Sequence, residues 1–341
     1  MGNQLRYRAF VSDSDNRRFS TIARWVLLAT LIHAPVDLAY AQKPVTLPRI
    51  GILRPGMPPD PLVDRLLQGL RDLGYVDGKT VIIEPRFAEG QRERYPGLAA
   101  ELVRLKVDVI YTSGVVSALR RATQTIPIVF MGTSDPVATG VVASLARPGG
   151  NVTGVTMMAS DLWPKRLELL KEMFPKLSRV AMVWNKGEAG MALEAKATRE
   201  AAGPMGVMLQ DRGVNDANEL EAIFAAMIKD RPDGFLPLID PLLAANQKRI
   251  LDFLEEQRLP AMFENSDWVE AGGLVSYGPN LADAIRRTAA LIDKILKGTK
   301  PADIPVEQPM RFEFVINLKT AKQIGLTIPP NVLARADKII K

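Results

Sequence analysis

The sequence predicts an α/β fold: two doubly wound parallel-sheet lobes joined by three hinge crossings. Short apolar runs alternate with amphipathic stretches from Arg49 onward, the pattern of strand–helix units joined by right-handed crossovers. The chain has 341 residues, more than one core comfortably serves, so two domains are expected. One strand and its loop also occur twice. Ile126-Pro127-Ile128-Val129-Phe130 precedes Ser134-Asp135, and Leu259-Pro260-Ala261-Met262-Phe263 precedes Ser266-Asp267. Two equivalent lobes explain this echo, as does chance recurrence of proline-led apolar strands. The first lobe is expected to span 46–150 and 278–308, and the second 151–277 and 309–341. Gly150, Gly273 and Pro301–Pro309 are the candidate crossings.

The elements follow in order. Ile50-Gly51-Ile52-Leu53 is a buried strand, and a Pro/Gly-rich loop runs from Arg54 to Pro61. Over 62–73, Leu62, Val63, Leu66, Leu67, Leu70 and Leu73 share one helical face, and Gly74 stops the helix. A strand at Val81–Glu84, a helix over Arg92–Leu105 and a strand at Val107–Tyr111 come next. Thr112-Ser113-Gly114 opens a helix to about Gln124, with Thr112 or Ser113 as N-cap. Ile126–Met131 reads as a strand, Gly132–Pro136 as a loop, and Val137–Leu145 as a short helix broken at Pro148-Gly149-Gly150.

The scheme then repeats. Strands are expected at Val180–Trp184, Val207–Gln210, Gly234–Ile239 and Pro260–Phe263. Helices fall at Ala189–Ala202, from a capping box of Asp216 and Glu219 to near Lys229, and at Asn246–Gln257. Leu274–Ser276 is a strand, Leu281–Leu296 a helix, and Pro301–Pro309 an extended linker. A strand at Phe312–Leu318, a short helix ending at Gly325 and a final helix over Asn331–Ile340 complete the chain.

Residues 1–41 read as an export leader. Arg17, Arg18 and Arg24 precede the apolar run Trp25–Ile32, and Ala39-Tyr40-Ala41 supplies a small-x-small cleavage pattern. That run falls short of the ~20 apolar residues that span a bilayer. With no cysteine at the cut to carry a lipid, a periplasmic location after cleavage near Ala41 is expected.

Composition narrows the chemistry. The chain has no cysteine, and its single histidine, His33, lies in the leader. Ser-His-Asp and Cys-His triads, histidine or thiolate metal sites and CxxC redox pairs are therefore excluded from the mature chain. No GxSxG, HExxH or Walker motif occurs, and Pro148-Gly149-Gly150-Asn151 follows a helix, the wrong context for a dinucleotide loop. Only carboxylate or lysine catalysis stays open, and no cofactor or metal is expected. The formal net charge of +6 carries no dense basic cluster, so nucleic-acid binding gains no support.

Several stretches together resemble one family. They are Ile126–Phe130, Ser134-Asp135-Pro136, Ser144–Gly154, Glu270–Leu274, Tyr277-Gly278-Pro279-Asn280 and Val315–Ala321. The chain from Arg49 to Lys341 is similar throughout to ABC-transporter substrate-binding proteins of the tryptophan/tyrosine type. The resemblance implies a periplasmic-binding-protein type I fold whose lobes close on a small solute, an amino acid or aromatic carboxylate. It implies a non-enzymatic subunit, read here as a monomer, that delivers its solute to an inner-membrane permease and its ATPase. A periplasmic sensing module and an α/β enzyme are the competing readings.

Ligands of open α/β sheets sit beyond the carboxyl ends of the strands, which selects the candidates. Thr112 and Ser113 stand at a strand end where free N–H groups and hydroxyls favour an anion; simple capping is the other reading. Asp135 suits a ligand ammonium, with Thr133 and Ser134 beside it for a carboxylate, or forms an Asx turn before Pro136. Asp240, before Pro241, carries the same pair of readings in the second lobe. Asn185 is a further candidate or a surface turn, and Tyr277 stacks on a flat ligand or packs a hinge. Glu264 and Asn265 end the echoed strand.

Overall fold

A computed structural model describes residues 46–341 except 133 and 134. The leader expectation, residues 1–41, lies outside the described residues, as do the candidates Thr133 and Ser134. The first half gives β1 (Arg49–Arg54), α1 (Pro61–Asp72), β2 (Ile82–Phe87), α2 (Tyr95–Arg104), β3 (Val109–Thr112), α3 (Val116–Ala122), β4 (Ile128–Met131) and β5 (Val152–Val155). There follow α4 (Ala159–Met173), β6 (Arg179–Asn185), α5 (Ala189–Ala202), β7 (Met208–Val214), α6 (Glu219–Asp230) and β8 (Gly234–Pro237). The last part holds α7 (Pro241–Ala245), α8 (Gln247–Glu256), β9 (Met262–Phe263), α9 (Ser266–Glu270), β10 (Val275–Pro279), α10 (Leu281–Leu296), β11 (Phe312–Asn317), α11 (Leu318–Gln323), α12 (Pro330–Leu333) and β12 (Lys338–Ile340).

Two sheets organise these elements. The first is parallel throughout, in the order β2-β1-β3-β4-β5. The second runs β7-β6-β8, joins β9 through a parallel bridge between Phe235 and Ala261, and continues β9-β10-β11-β12. Only β11 runs antiparallel to its neighbour β10, because the chain re-enters this sheet from the opposite side. The echoed segments form β4 and β9, which hold the same place in the two strand orders. That positional match is what two equivalent halves require.

The inner strands feed two cores, one on either face, as the period-2 geometry of a fully covered strand demands. In the first sheet Ile50, Ile52, Val109, Tyr111, Val129 and Met131 join one cluster with Leu66, Leu70 and Ile285. The alternate residues Leu53, Ile110, Ile128 and Phe130 join the other with Leu98, Leu102 and Leu119. In the second sheet Val180, Met182, Leu236 and Met262 face Trp163 and Leu170, while Ala181, Val183, Phe235 and Phe263 face Phe224 and Phe253. The helices cover both faces, so each sheet is doubly wound.

The chain passes between the sheets three times. Strand β5 pairs with β4, so the first sheet extends past Gly150 before the chain crosses into α4. It returns after β10, where Asn280 caps α10 by accepting from the Asp283 N–H, and that helix packs on the first sheet's core through Ile285 and Ile292. The third pass leaves Glu307, whose N–H donates to Gly154 and whose carbonyl accepts from Thr156, and enters β11.

Four local expectations are corrected. Val137–Leu145 is a run of turns: Asp135 captures the Val137 and Ala138 N–H groups, and Gly140 turns into the left-handed region at φ 67°. Neither Thr112 nor Ser113 caps α3. Val115 holds that position without a side-chain bond, and the Asp216–Glu219 capping box is likewise replaced by Asn218 at the N-cap of α6. The tail is not one helix but the short α12 and then β12, drawn into the sheet beside Val315–Asn317. Asp337 pins that entry by exchanging two bonds with the Phe314 backbone.

Candidate functional site

The strand ends of both sheets converge. On the first sheet, Arg54 ends β1 in a buried ion pair with Asp60 at 2.7 Å and donates from Nη1 to the Ser113 carbonyl at 3.1 Å. Asp60 also caps α1, accepting from the Leu62 and Val63 N–H groups. Gly114, held at φ 97°, continues this surface. A Cβ there would stand 3.3 Å from Cγ of Pro241, a residue that follows the second sheet's β8. The two sheets' loops therefore touch at Gly114 and Pro241.

On the second sheet, β6, β8 and β9 lie side by side and parallel. Each delivers a polar residue at or just past its carboxyl end: Asn185, Asp240 and Glu264. Asp240 is buried; its Oδ1 accepts from the Leu243 N–H to cap α7, and its Oδ2 accepts from Asn185 Nδ2 at 2.5 Å. Burial raises the Asp240 pKa, partly offset by those bonds. Glu264 retains some accessible surface, yet so many atoms surround its carboxylate that burial pushes it up to about 7, with Arg166 opposing and Asp240 adding to the rise.

Two ion pairs bind the halves at the rim. Arg65 of α1 makes a forked pair with Asp267 of α9 at 2.9 Å. Arg92 donates to the Gly187 carbonyl at 2.8 Å and to Glu188 at 2.7 Å. A Cβ on Gly187 would fall 2.2 Å from Arg92 Nη1, so a larger residue there would push the guanidinium aside. Tyr95 lies within the fields of Glu188, Arg92, Asp240 and Arg54, and burial first, then Glu188, pushes its phenol up to about 12. Charges from both sheets thus share one enclosed region.

The sequence candidates separate accordingly. Asn185 and Asp240 are brought together, and Ser113 accepts from Arg54 on the other sheet, beside the Gly114 that faces Pro241. Asp240 follows the third strand of its sheet, so its counterpart is Ser113-Gly114 rather than Asp135. Thr112 is fully buried and its hydroxyl donates to the Leu53 carbonyl, which ties β3 to β1 and takes that hydroxyl out of the gap. Asp135 spends Oδ1 on its own turn. Tyr277 stacks on Phe312 at 6.1 Å and meets Phe314 edge-on, so its ring packs against β11, the strand that returns from the third crossing.

Arg166 escaped selection. It is 1% exposed, yet it stands on the apolar stripe of α4 with Trp163, Leu167 and Leu170. A guanidinium at a position where periodicity calls for leucine was the visible signal. Among the described residues, no group of acidic or histidine side chains could hold a metal ion, and no helix is long and apolar enough to cross a membrane.

Two sheets of the same strand order, linked by three passes and meeting at their strand ends, define the type I periplasmic-binding-protein fold. The family model of the ABC transporter substrate binding protein matches residues 56–340, and the chain belongs to that family. It is 26% identical over 262 residues, 76% of this chain and 75% of the relative, to a tyrosine-binding protein of Clostridioides difficile. Among solved structures, an ABC domain in complex with L-Trp from Streptococcus pneumonia aligns with a TM-score of 0.78 at 26% identity, covering 86% of this chain and 100% of that one. A ligand-free, open substrate-binding protein from Clostridium difficile, CD0873, aligns at 0.60 with 26% identity over 86% and 99%.

Proposed function

We propose that the protein is the periplasmic solute-binding subunit of an ABC importer, which captures an amino acid or aromatic carboxylate between two closing lobes. One lobe is built on each sheet, and the three passes act as hinges. The observation that carries the reading is the convergence of Asn185, Asp240 and Glu264 from one sheet upon Arg54, Ser113 and Gly114 from the other. A site made half by each lobe stabilises the closed arrangement only when a solute spans it. The better agreement with the L-Trp complex than with the open, ligand-free relative supports a closed form here.

In this reading Ser113, Asn185 and Asp240 contact the solute, while Asp135 and Tyr277 shape the loops and hinge around it. On that reading the solute is released unchanged to the permease. The test is a thermal-shift screen of the mature protein against amino acids and aromatic carboxylates. A specific solute raises the melting temperature with dose, by ~2.7 kcal/mol of added stability at a hundredfold excess over Kd. No shift with any member of either class would refute the solute assignment.

A further inference from the structure

Both rim ion pairs are joined to the strand-end acids through an asparagine. Arg92, which follows β2, donates to the Gly187 carbonyl and to Glu188 on the second sheet's side. The Gly187 N–H donates in turn to Asn185 Oδ1 at 2.9 Å, and Asn185 Nδ2 donates to Asp240 Oδ2. Arg65 of α1 forks onto Asp267. The Asp267 N–H donates to Asn265 Oδ1 at 3.1 Å, and Asn265 Nδ2 donates to Glu264 Oε1 at 3.2 Å. The two paths have the same parts in the same order. Each runs from an arginine of the first sheet to a residue two places after an asparagine, then through that asparagine's amide to an acid past a strand end.

A carboxamide is one rigid plane, so whatever seats its oxygen also aims its NH2 group. Neither loop is held firmly by its own backbone. The Glu188 N–H lies a long 3.4 Å from the Asn185 carbonyl, and α9 has five residues, too few for a helix to stand alone. The arginines supply what the loops lack, and Arg92 Nη1 fills the space in which a Gly187 Cβ would stand. At the far ends, burial raises the pKa of both Asp240 and Glu264, and the asparagine bond is among the contacts that oppose the rise in each. Losing that donor would leave more of the cost of burying each carboxylate unrelieved.

We propose that Arg92 and Arg65 are positioning residues for solute capture: seated on the second sheet's loops, they set the Asn185 and Asn265 amides and, through them, Asp240 and Glu264. Closing the rim and completing the solute site are then one coupled step. By reciprocity, a solute held by those acids favours the seated arginines. The inference rests on the solute-binding reading above, and it gives Asn185 the task of transmission besides contact.

The test is a set of crossed double-mutant cycles read by calorimetric titration with L-tryptophan, or with L-tyrosine where tryptophan gives no heat. The variants are R92Q, R65Q, N185S and N265S, and each arginine change is combined with each asparagine change. Serine keeps an acceptor for the turn or cap but is too short to reach the acid. R92Q should weaken binding about fivefold in the wild-type background and in N265S, but less than about twofold in N185S. R65Q should show the reverse, its loss vanishing in N265S and persisting in N185S. An arginine acting only as a rim contact loses the same factor in every background, and that result, or no loss at all, overturns the relays while leaving solute capture intact. If circular dichroism finds a serine variant unfolded, N185D or N265D takes its place under the same criteria. If neither amino acid binds, that failure counts against the solute reading. The same crosses are then read on the urea-unfolding constant of the solute-free protein, where the same pattern supports the relays and additive losses overturn them.

Discussion

Asp240 holds two structures at once, so its replacement separates structural from binding losses. In Asp240→Ala the Leu243 N–H loses its cap, which costs about 1 kcal/mol. The buried Asn185 amide loses the acceptor it now holds at 2.5 Å, and an orphaned buried donor costs roughly 1–3 kcal/mol. The sum is about 2–4 kcal/mol of destabilisation, measured as a shift of the urea midpoint at constant m-value. Asp240→Asn keeps an acceptor for the cap but sets an amide donor against the Asn185 donor, so it should recover only the cap's share, about 1 kcal/mol, of the Asp240→Ala loss. Both variants remove the charge, so both should weaken solute binding. An Asp240→Ala midpoint indistinguishable from wild type would show that these bonds do not hold the strand end together.

Other outcomes follow from the same geometry. Glu264 has a pKa of about 7 when folded, above its ordinary 4.5, so the folded state holds the proton more tightly. Its contribution to stability is complete below pH 4.5 and disappears as pH rises through 7, a change of at most about 3 kcal/mol. E264Q should flatten that part of a stability–pH curve, and an unchanged slope would remove Glu264 as its source. Gly154→Ala would place a Cβ 2.2 Å from the Phe130 carbonyl oxygen, forcing β4 and β5 apart. The melting temperature should fall by the equivalent of about 3 kcal/mol or more, whereas a neutral result would mean the strands separate freely. The rim pairs Arg65–Asp267 and Arg92–Glu188 are part-exposed and worth about 0–1 kcal/mol each. Removing both arginines should still enlarge the ligand-free protein in solution scattering, and unchanged dimensions would show that the pairs do not bias closure.

Much of the fold was legible because it rests on local signals. Unbroken apolar runs such as Ile50–Leu53 and Val180–Val183 report strands covered on both faces. The echo of Ile126–Phe130 in Leu259–Phe263 falls on β4 and β9, which hold the same place in the two strand orders. Local reading failed where one side chain or a distant strand decided the outcome. Asp135 and Gly140 unwound the helix expected over 137–145. Residues 338–340 became a strand because β11, more than twenty residues earlier in the chain, offered an open edge.

The site divides in the same way. Asn185 and Asp240 were accessible from the rule that ligands sit beyond strand ends, since each ends a recognisable apolar run. Thr112 satisfied that rule equally well, but its hydroxyl turns back to Leu53, a contact that no spacing encodes. The partners across the gap are set by how two sheets meet: Gly114 with Pro241, Arg92 with Glu188, and Arg65 with Asp267. Those pairs are separated by about a hundred to two hundred residues, so nothing in the linear pattern announces them.

Closure on a solute is the claim most open to direct measurement. The chain has no cysteine, so Asp72→Cys on α1 and Asp252→Cys on α8 accept one spin label each without competing sites. Pulsed electron–electron distance measurement on the solute-stripped protein should give a broad or longer distribution that narrows and shortens when the solute from the thermal screen is added. Identical distributions with and without a solute that demonstrably binds would contradict a clamp of two moving halves.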